Sequence, residues 1–178
     1  MRQTINGADF RRMLLSAAAA IEINKQKLNE LNVFPVPDGD TGTNMSMTIN
    51  AAASDLRKLE DPTLEKAASA AASAMLRGAR GNSGVILSLL MRGISKKLKG
   101  ASECDGVLWA NLTVARLAAA KALSAANENN YLEFVQEQAL EAAKIALADT
   151  VNQNPVLKKA GVVDAGGNGW CFVLEAML

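Results

Sequence analysis

The 178-residue chain contains no histidine. Without imidazole there is no Ser-His-Asp triad, no Cys-His dyad and almost no route to a catalytic zinc site. Any chemistry must run on carboxylates, hydroxyls, amides, lysine, arginine and metal ions. Phosphoryl transfer can work with that set, because it depends on positioning and electrostatic stabilisation more than on a titrating base. Cysteine is scarce as well. Cys104 and Cys171 stand far apart and in no CxxC spacing, which is neither a disulfide framework nor a zinc pattern and fits a reducing cytoplasm. An excess of either charge is also missing: 19 Lys and Arg against 18 Asp and Glu leave a net +1, no footprint for nucleic acid or an anionic membrane. The densest basic stretch, Lys96, Lys97 and Lys99, ends an apolar helical run, where cations suit the helix C-terminus. No apolar run approaches the ~18 residues needed to cross a bilayer. Arg11 and Arg12 ahead of Met13 to Ile21 imitate a signal peptide, but acidic Asp9 precedes them inside a longer helical pattern.

What the chain does have is alanine and helical periodicity. Phe10, Met13, Leu14, Ala17, Ile21, Leu28 and Leu31 predict a first helix over about 7–31, opened by Asn6 and Asp9 as a capping-box variant. Met45, Ile49, Ala52 and Leu56 mark a second. Asp61-Pro62 reads as the N-cap and first turn of a third, with Leu64, Ala67, Ala68, Ala71 and Met75 as its stripe. A fourth runs from Val85 to Leu98 and a fifth from about Asp105 to Asn127. A sixth opens on Asn130 and Glu133 as a further capping-box variant. A short seventh starts at Asn154-Pro155 and stops at Gly161, and a last one runs from Trp170 to Met177. Strands have support only at Val162-Val163. The fold class is all-α, a single domain over 1–178, with small side chains that permit close helix approach.

Three loops could carry chemistry. In Asn32 to Met45, Asp38 and Asp40 flank a glycine, so a turn can aim both carboxylates at one point, and two prolines stiffen the approach. Two converging anions without a basic neighbour suit a hard divalent cation. An ordinary Asp-Gly turn with a helix cap is the competing reading. A calcium EF-hand fails on position, since its invariant glycine would be Thr43 and its closing glutamate Ile49. Arg77 to Gly84 is glycine-rich and opens a helix, where bare amides and the helix dipole attract phosphate. It lacks the lysine of a Walker loop and the preceding strand of a dinucleotide fingerprint, and tight helix crossing explains such glycines equally well. Asn82 and Ser83 could donate to phosphate oxygens, and Arg77 or Arg80 could neutralise charge. Asp164 to Gly169 is a third glycine cluster at a helix start. In a bundle of alternating helices these starts can meet at one end.

Together Asn32 to Met45, Arg77 to Leu87 and Gly161 to Gly167 resemble the nucleotide-binding domain of the fatty-acid kinase family, itself similar to the L subunit of dihydroxyacetone kinases. The resemblance spans nearly the whole chain. It implies an antiparallel barrel of eight helices with ATP or ADP and two magnesium ions at one end. It implies that Asp38 and Asp40 are metal ligands with a catalytic role, and that Asn32 falls near a further metal position. Thr41, Thr43, Asn44, Gly81, Asn82 and Ser83 match positions lining the phosphates, and Asp164 and Gly166 match the late glycine-rich motif near the nucleotide. Pro35-Val36-Pro37 resembles the fatty-acid branch, whose kinase phosphorylates a fatty acid held by a separate binding protein. The dihydroxyacetone branch and a non-catalytic nucleotide-binding scaffold are the alternatives. The partners implied are that binding protein or other kinase domains or subunits, with a homodimer among the admissible assemblies, and a cytoplasmic location. Relatives carry a longer segment ahead of Leu112 to Arg116, where this chain lacks about ten residues, more than short connections ordinarily vary. Fatty-acid kinases also continue into further domains where this sequence stops.

Overall fold

A capping box opens the first helix. The Asn6 side chain accepts the Asp9 amide at 3.0 Å, and the Asp9 carboxylate accepts the Asn6 amide at 3.2 Å. Helix α1 (Gly7–Ile23) then buries Phe10, Leu14, Ala17, Ala18 and Ile21, one stripe at helical spacing. The computed structural model describes residues 3–34, 36–112 and 116–178. Pro35 and the centre of the Leu112 to Arg116 motif lie outside the described residues.

The continuous first helix expected to residue 31 is broken at Asn24, whose amide and side chain both return to the Ala20 carbonyl. A short α2 (Lys25–Glu30) leaves at that point. The break admits α3 (Thr41–Arg57): a Cβ on Gly42 would stand 2.1 Å from the Lys25 carbonyl oxygen, so only glycine permits this approach. Beyond α3, the cap of α4 (Leu64–Gly78) is Thr63, which accepts the Lys66 amide at 3.2 Å, and not Asp61-Pro62. The shift has a packing cause. The start of α1 abuts this turn, with Gly7 so close that a Cβ on it would meet the Pro62 carbonyl oxygen at 2.0 Å. Helix α5 (Gly81–Lys97) starts four residues earlier than its apolar pattern, so Gly81 to Gly84 form its first turn.

A two-residue antiparallel ladder pairs β1 (Thr4–Ile5) with β2 (Cys104–Asp105), while Val162-Val163 form no strand. Past it, α6 (Gly106–Leu112) and α7 (Arg116–Glu128) both lie in the interval expected to be helical, with 113–115 between them outside the described residues. Helix α8 (Leu132–Gln153) has Tyr131 at its N-cap, without a side-chain bond. Asn130 does not cap it because its amide is committed elsewhere, accepting the Val107 amide at 2.7 Å and donating to Asp105 at 3.1 Å. Helix α9 (Pro155–Ala160) has Asn154 as cap, Pro155 at its first position and left-handed Gly161 at its end, as expected. Helix α10 (Ala165–Ala176) begins at the glycine cluster rather than after it.

The result is an all-α bundle. Helices α3, α4 and α5 pack on one another with α1 against α3 and α4, α6, α7 and α8 form a second group, and α10 touches both through α1 and α8. The buried alanines of α3 and α4, Ala52, Ala53, Ala67, Ala68, Ala71, Ala72 and Ala74, account for the close crossing of these helices. No described helix is long and apolar enough to cross a membrane.

Candidate functional site

Two of the three glycine-bearing loops are brought together. The start of α5 lies against the first two turns of α3 through three contacts. The Ser83 hydroxyl is 3.4 Å from that of Thr41. A Cβ on Gly81 would stand 2.1 Å from Asn44 Nδ2, and one on Gly84 would stand 2.3 Å from Thr48 Oγ1. The buried Thr48 hydroxyl makes the joint specific, donating to the Asn44 carbonyl at 2.7 Å and accepting the Arg80 amide at 3.2 Å. Gly81 has φ +55, a left-handed conformation in which an L side chain is strained.

Both helix starts therefore point bare amides into the same neighbourhood. On α3 the Asn44 amide returns to Asp40 and the Thr43 amide goes to Asn29, which leaves those of Thr41 and Gly42. On α5 the Gly84 amide returns to the Arg80 carbonyl, which leaves those of Gly81, Asn82 and Ser83. Unpartnered first-turn amides and two helix dipoles make this region attractive to anions.

The carboxylates sit beside it on the turn before α3, with Gly39 left-handed at φ +64. Asp38 is exposed, and one of its oxygens accepts Asn32 Nδ2 at 2.5 Å. Asn32 is buried, with its amide turned toward the aspartate. Asp40 is the N-cap residue of α3, yet its side chain makes no capping bond. Neither aspartate forms an ion pair among the described residues. Asp38 and Asp40 thus present three carboxylate oxygens without partners among the described residues.

That donor set can be tested against the metal the sequence implies. Among the described residues no three acidic or sulfur side chains cluster as a self-sufficient metal cage. A calcium site would need more protein oxygens, whereas magnesium is commonly held by one or two carboxylates, with phosphate oxygens and water completing the octahedron. Two aspartates beside a phosphate-attracting pair of helix starts fit magnesium accompanied by a nucleotide.

The third loop stands differently. Asp164 caps α10, its carboxylate accepting the Gly167 amide at 2.6 Å while its own amide goes to the Thr150 hydroxyl at 3.0 Å. Gly166 lies in that same capped turn. The link to the other two loops comes one turn later, where a Cβ on Gly169 would meet Met45 Cε at 2.5 Å and Leu28 Cδ1 at 3.4 Å. Of the arginines, Arg77 is paired with Asp55 at 2.9 Å. Among the described residues the exposed Arg80 guanidinium donates to the neighbouring Ala79 carbonyl, at 2.9 Å, and forms no ion pair, which leaves its charge open to an incoming anion. The cysteines take no part. Both are buried, and burial pushes the Cys104 thiol up to about 12.

Sequence reading overlooked Asn29 and Thr48. The only signal for Thr48 was a hydroxyl inside the stripe from Met45 to Ala52. Asn29 offered none, because its partner lies on the next helix.

Comparison with known proteins gives the same direction. The DAK2 domain model matches residues 35–130 and again 112–178. Protein YloV of Bacillus subtilis is 36% identical over 197 residues, covering 99% of this chain and 36% of the relative. An uncharacterized protein of Staphylococcus aureus (strain USA300) is 35% identical over 199 residues, covering all of this chain and 36% of its own length. The chain therefore spans about a third of the curated relatives it matches. Both alignments are longer than the 178 residues of the chain, so they open gaps in it. The family match likewise falls into two overlapping pieces instead of one.

Proposed function

The chain belongs to the DAK2-domain family, and we propose that it is the ATP-binding part of a kinase acting on the carboxylate of a fatty acid held by a partner protein. The carrying observation is the junction of the α3 and α5 starts through Thr41 and Ser83, Asn44 and Gly81, and Thr48 and Arg80. It supports a phosphate cradle made from two helix N-termini, flanked by two aspartates with unpartnered oxygens.

In this reading Asp38 and Asp40 would hold magnesium, which would supply charge neutralisation on the phosphate oxygens. Thr41, Gly81, Asn82 and Ser83 donate amides or hydroxyls to the β- and γ-phosphates, and Arg80 adds positive charge. Thr43 and Asn44 shape the cradle as its floor. Asn32 orients Asp38. Asp164 and Gly166 set the entry of α10, whose Gly169 supports Met45 from behind. An acceptor carboxylate oxygen forms the new bond to the γ-phosphorus as the bond to the bridging oxygen of ADP breaks. A carboxylate is already ionised at neutral pH and needs no base to attack. The partner or further domains would bring the acceptor, and Pro35-Val36-Pro37 supports the fatty-acid branch by resemblance.

A second reading is nucleotide binding without turnover. It is favoured by the gaps that the longer alignments open in this chain. Incubating the protein with MgATP and a fatty-acid-loaded carrier, and trapping acyl phosphate with hydroxylamine, separates the two. Hydroxamate that depends on both ATP and the loaded carrier supports the kinase. ATP binding with no hydroxamate supports the second reading, and no ATP binding defeats both.

A further inference from the structure

Four helices here show how a polar N-cap residue ordinarily behaves. Asn6, Thr63, Asn154 and Asp164 all have extended backbones, with ψ −173, 159, 117 and 123, and each accepts a first-turn amide. Two polar caps depart from this: Asn24 ahead of α2, at ψ 7, whose side chain is spent on the Ala20 carbonyl, and Asp40, whose carboxylate is spent on no helix end. An aspartate is among the best capping residues, yet its backbone sits at φ −117, ψ 0 and its carboxylate caps nothing.

The bond it forgoes is made from another helix. Counting from Asp40, the third amide of α3 belongs to Thr43, and it donates to Asn29 Oδ1 at 3.1 Å. Asn29 Nδ2 donates in turn to Thr43 Oγ1, also at 3.1 Å. The side-chain amide of α2 thus takes up both the amide and the hydroxyl of Thr43. One turn further along the chain, Asn32 donates to Asp38 at 2.5 Å. The two asparagines bracket the Asp38-Gly39-Asp40 turn.

Resting on the nucleotide-site reading above, we propose that Asn29 is a positioning residue that caps α3 in place of Asp40 and so keeps the Asp40 carboxylate available for a divalent cation. Capping and coordination compete for the same oxygens. With Asn29 removed, the Thr43 amide lacks its partner, and Asp40 can recover the helix end only by rotating to the extended geometry and turning its carboxylate inward. The cation would then have to displace that bond.

The ligand-free arm of the test is a double-mutant cycle of thermal melts on the protein, Asn29→Ala, Asp40→Ala and the double variant. Asp40→Ala leaves the melting temperature of the parent nearly unchanged. In the Asn29→Ala background it lowers it by about 2–4 °C, the worth of one cap in a chain of this size. Equal effects of Asp40→Ala in both backgrounds overturn the proposal. The ligand arm is ATP titration with magnesium and with chelator. Asn29→Ala loses about tenfold or more of the magnesium-dependent gain, as when a group orienting a metal ligand is removed. Asn29→Asp, whose carboxylate still accepts the Thr43 amide, keeps it. A full gain in Asn29→Ala also overturns the proposal. If the parent shows no magnesium-dependent gain, the nucleotide reading fails and the melting cycle alone decides the role of Asn29. Should Asn29→Ala not fold, Asn29→Ser carries both arms, its hydroxyl being too short to span the gap to Thr43.

Discussion

Gly81 approaches Asn44 so closely that a Cβ on it would stand 2.1 Å from the amide nitrogen of that side chain. The obstacle is the end of a flexible side chain, and Gly81 is exposed, so the local cost of Gly81→Ala is mainly the left-handed backbone, about 1–2 kcal/mol. Asn44 must move, and the α5 amides shift relative to α3. Gly84 is different, because its neighbour is the buried Thr48 hydroxyl, fixed between the Asn44 carbonyl and the Arg80 amide.

The two glycines therefore separate binding from stability. Gly81→Ala is expected to keep its helical circular dichroism and to weaken ATP binding about tenfold or more, since phosphate cradles depend on close backbone approach. Gly84→Ala is expected to lower stability by about 1–3 kcal/mol through overpacking. Denaturant melts and ATP titrations of both variants check this. A Gly81→Ala protein with full ATP affinity would mean that the glycine serves packing alone.

Asp38→Asn and Asp40→Asn are each expected to melt as high as the parent without ligand. Asp40 caps nothing, and Asp38 is exposed with a single partner. Both should lose the stabilisation that MgATP gives the parent, which grows as RT ln(1 + [L]/Kd). Melts without ligand, with ATP and chelator, and with MgATP make the comparison. If the variants keep the full MgATP shift, the aspartates are turn residues and the metal site is lost.

Asp105 contributes stability that depends on its ionisation. Its carboxylate is held below the usual range chiefly by the Leu108 amide at 2.8 Å, with help from Asn130 at 3.1 Å. A depressed folded pKa contributes stability that is fully present above the unfolded value, about 3.9, and is lost as pH falls through the folded one. Asp105→Asn places an amide opposite the Asn130 amide and should cost about 1 kcal/mol at pH 7. Denaturant melts from pH 7 to about 2.5 should show the gap between variant and parent closing below about pH 4. A gap independent of pH would assign the effect to shape rather than charge.

Much of the fold was legible because its signals are local. The Asn6 and Asp9 box, the Asn154-Pro155 start with its Gly161 stop, and the apolar stripes each fall within one or two turns. What escaped is tertiary. Asn24 breaks α1 so that Gly42 can reach the Lys25 carbonyl. Asp61-Pro62 yields the cap to Thr63 because Gly7 abuts Pro62. Asn130 looks like a cap but is spent on Asp105 and Val107. The β1 and β2 ladder is two residues long, too short to alternate visibly. At the site, the pairing of the first two loops was an inference from bundle topology. The clamps that make it, Thr48 on Arg80 and Asn29 on Thr43, depend on neighbours 32 and 14 positions away.

In the proposed function the α3 and α5 starts together bind the phosphates of ATP, with magnesium on Asp38 and Asp40. Calorimetric titration of the protein with ATP, with and without magnesium, tests it most directly. Saturable binding that tightens when magnesium is present, with the gain lost in Asp40→Asn, is expected. No heat or saturation at millimolar nucleotide under both conditions would contradict it.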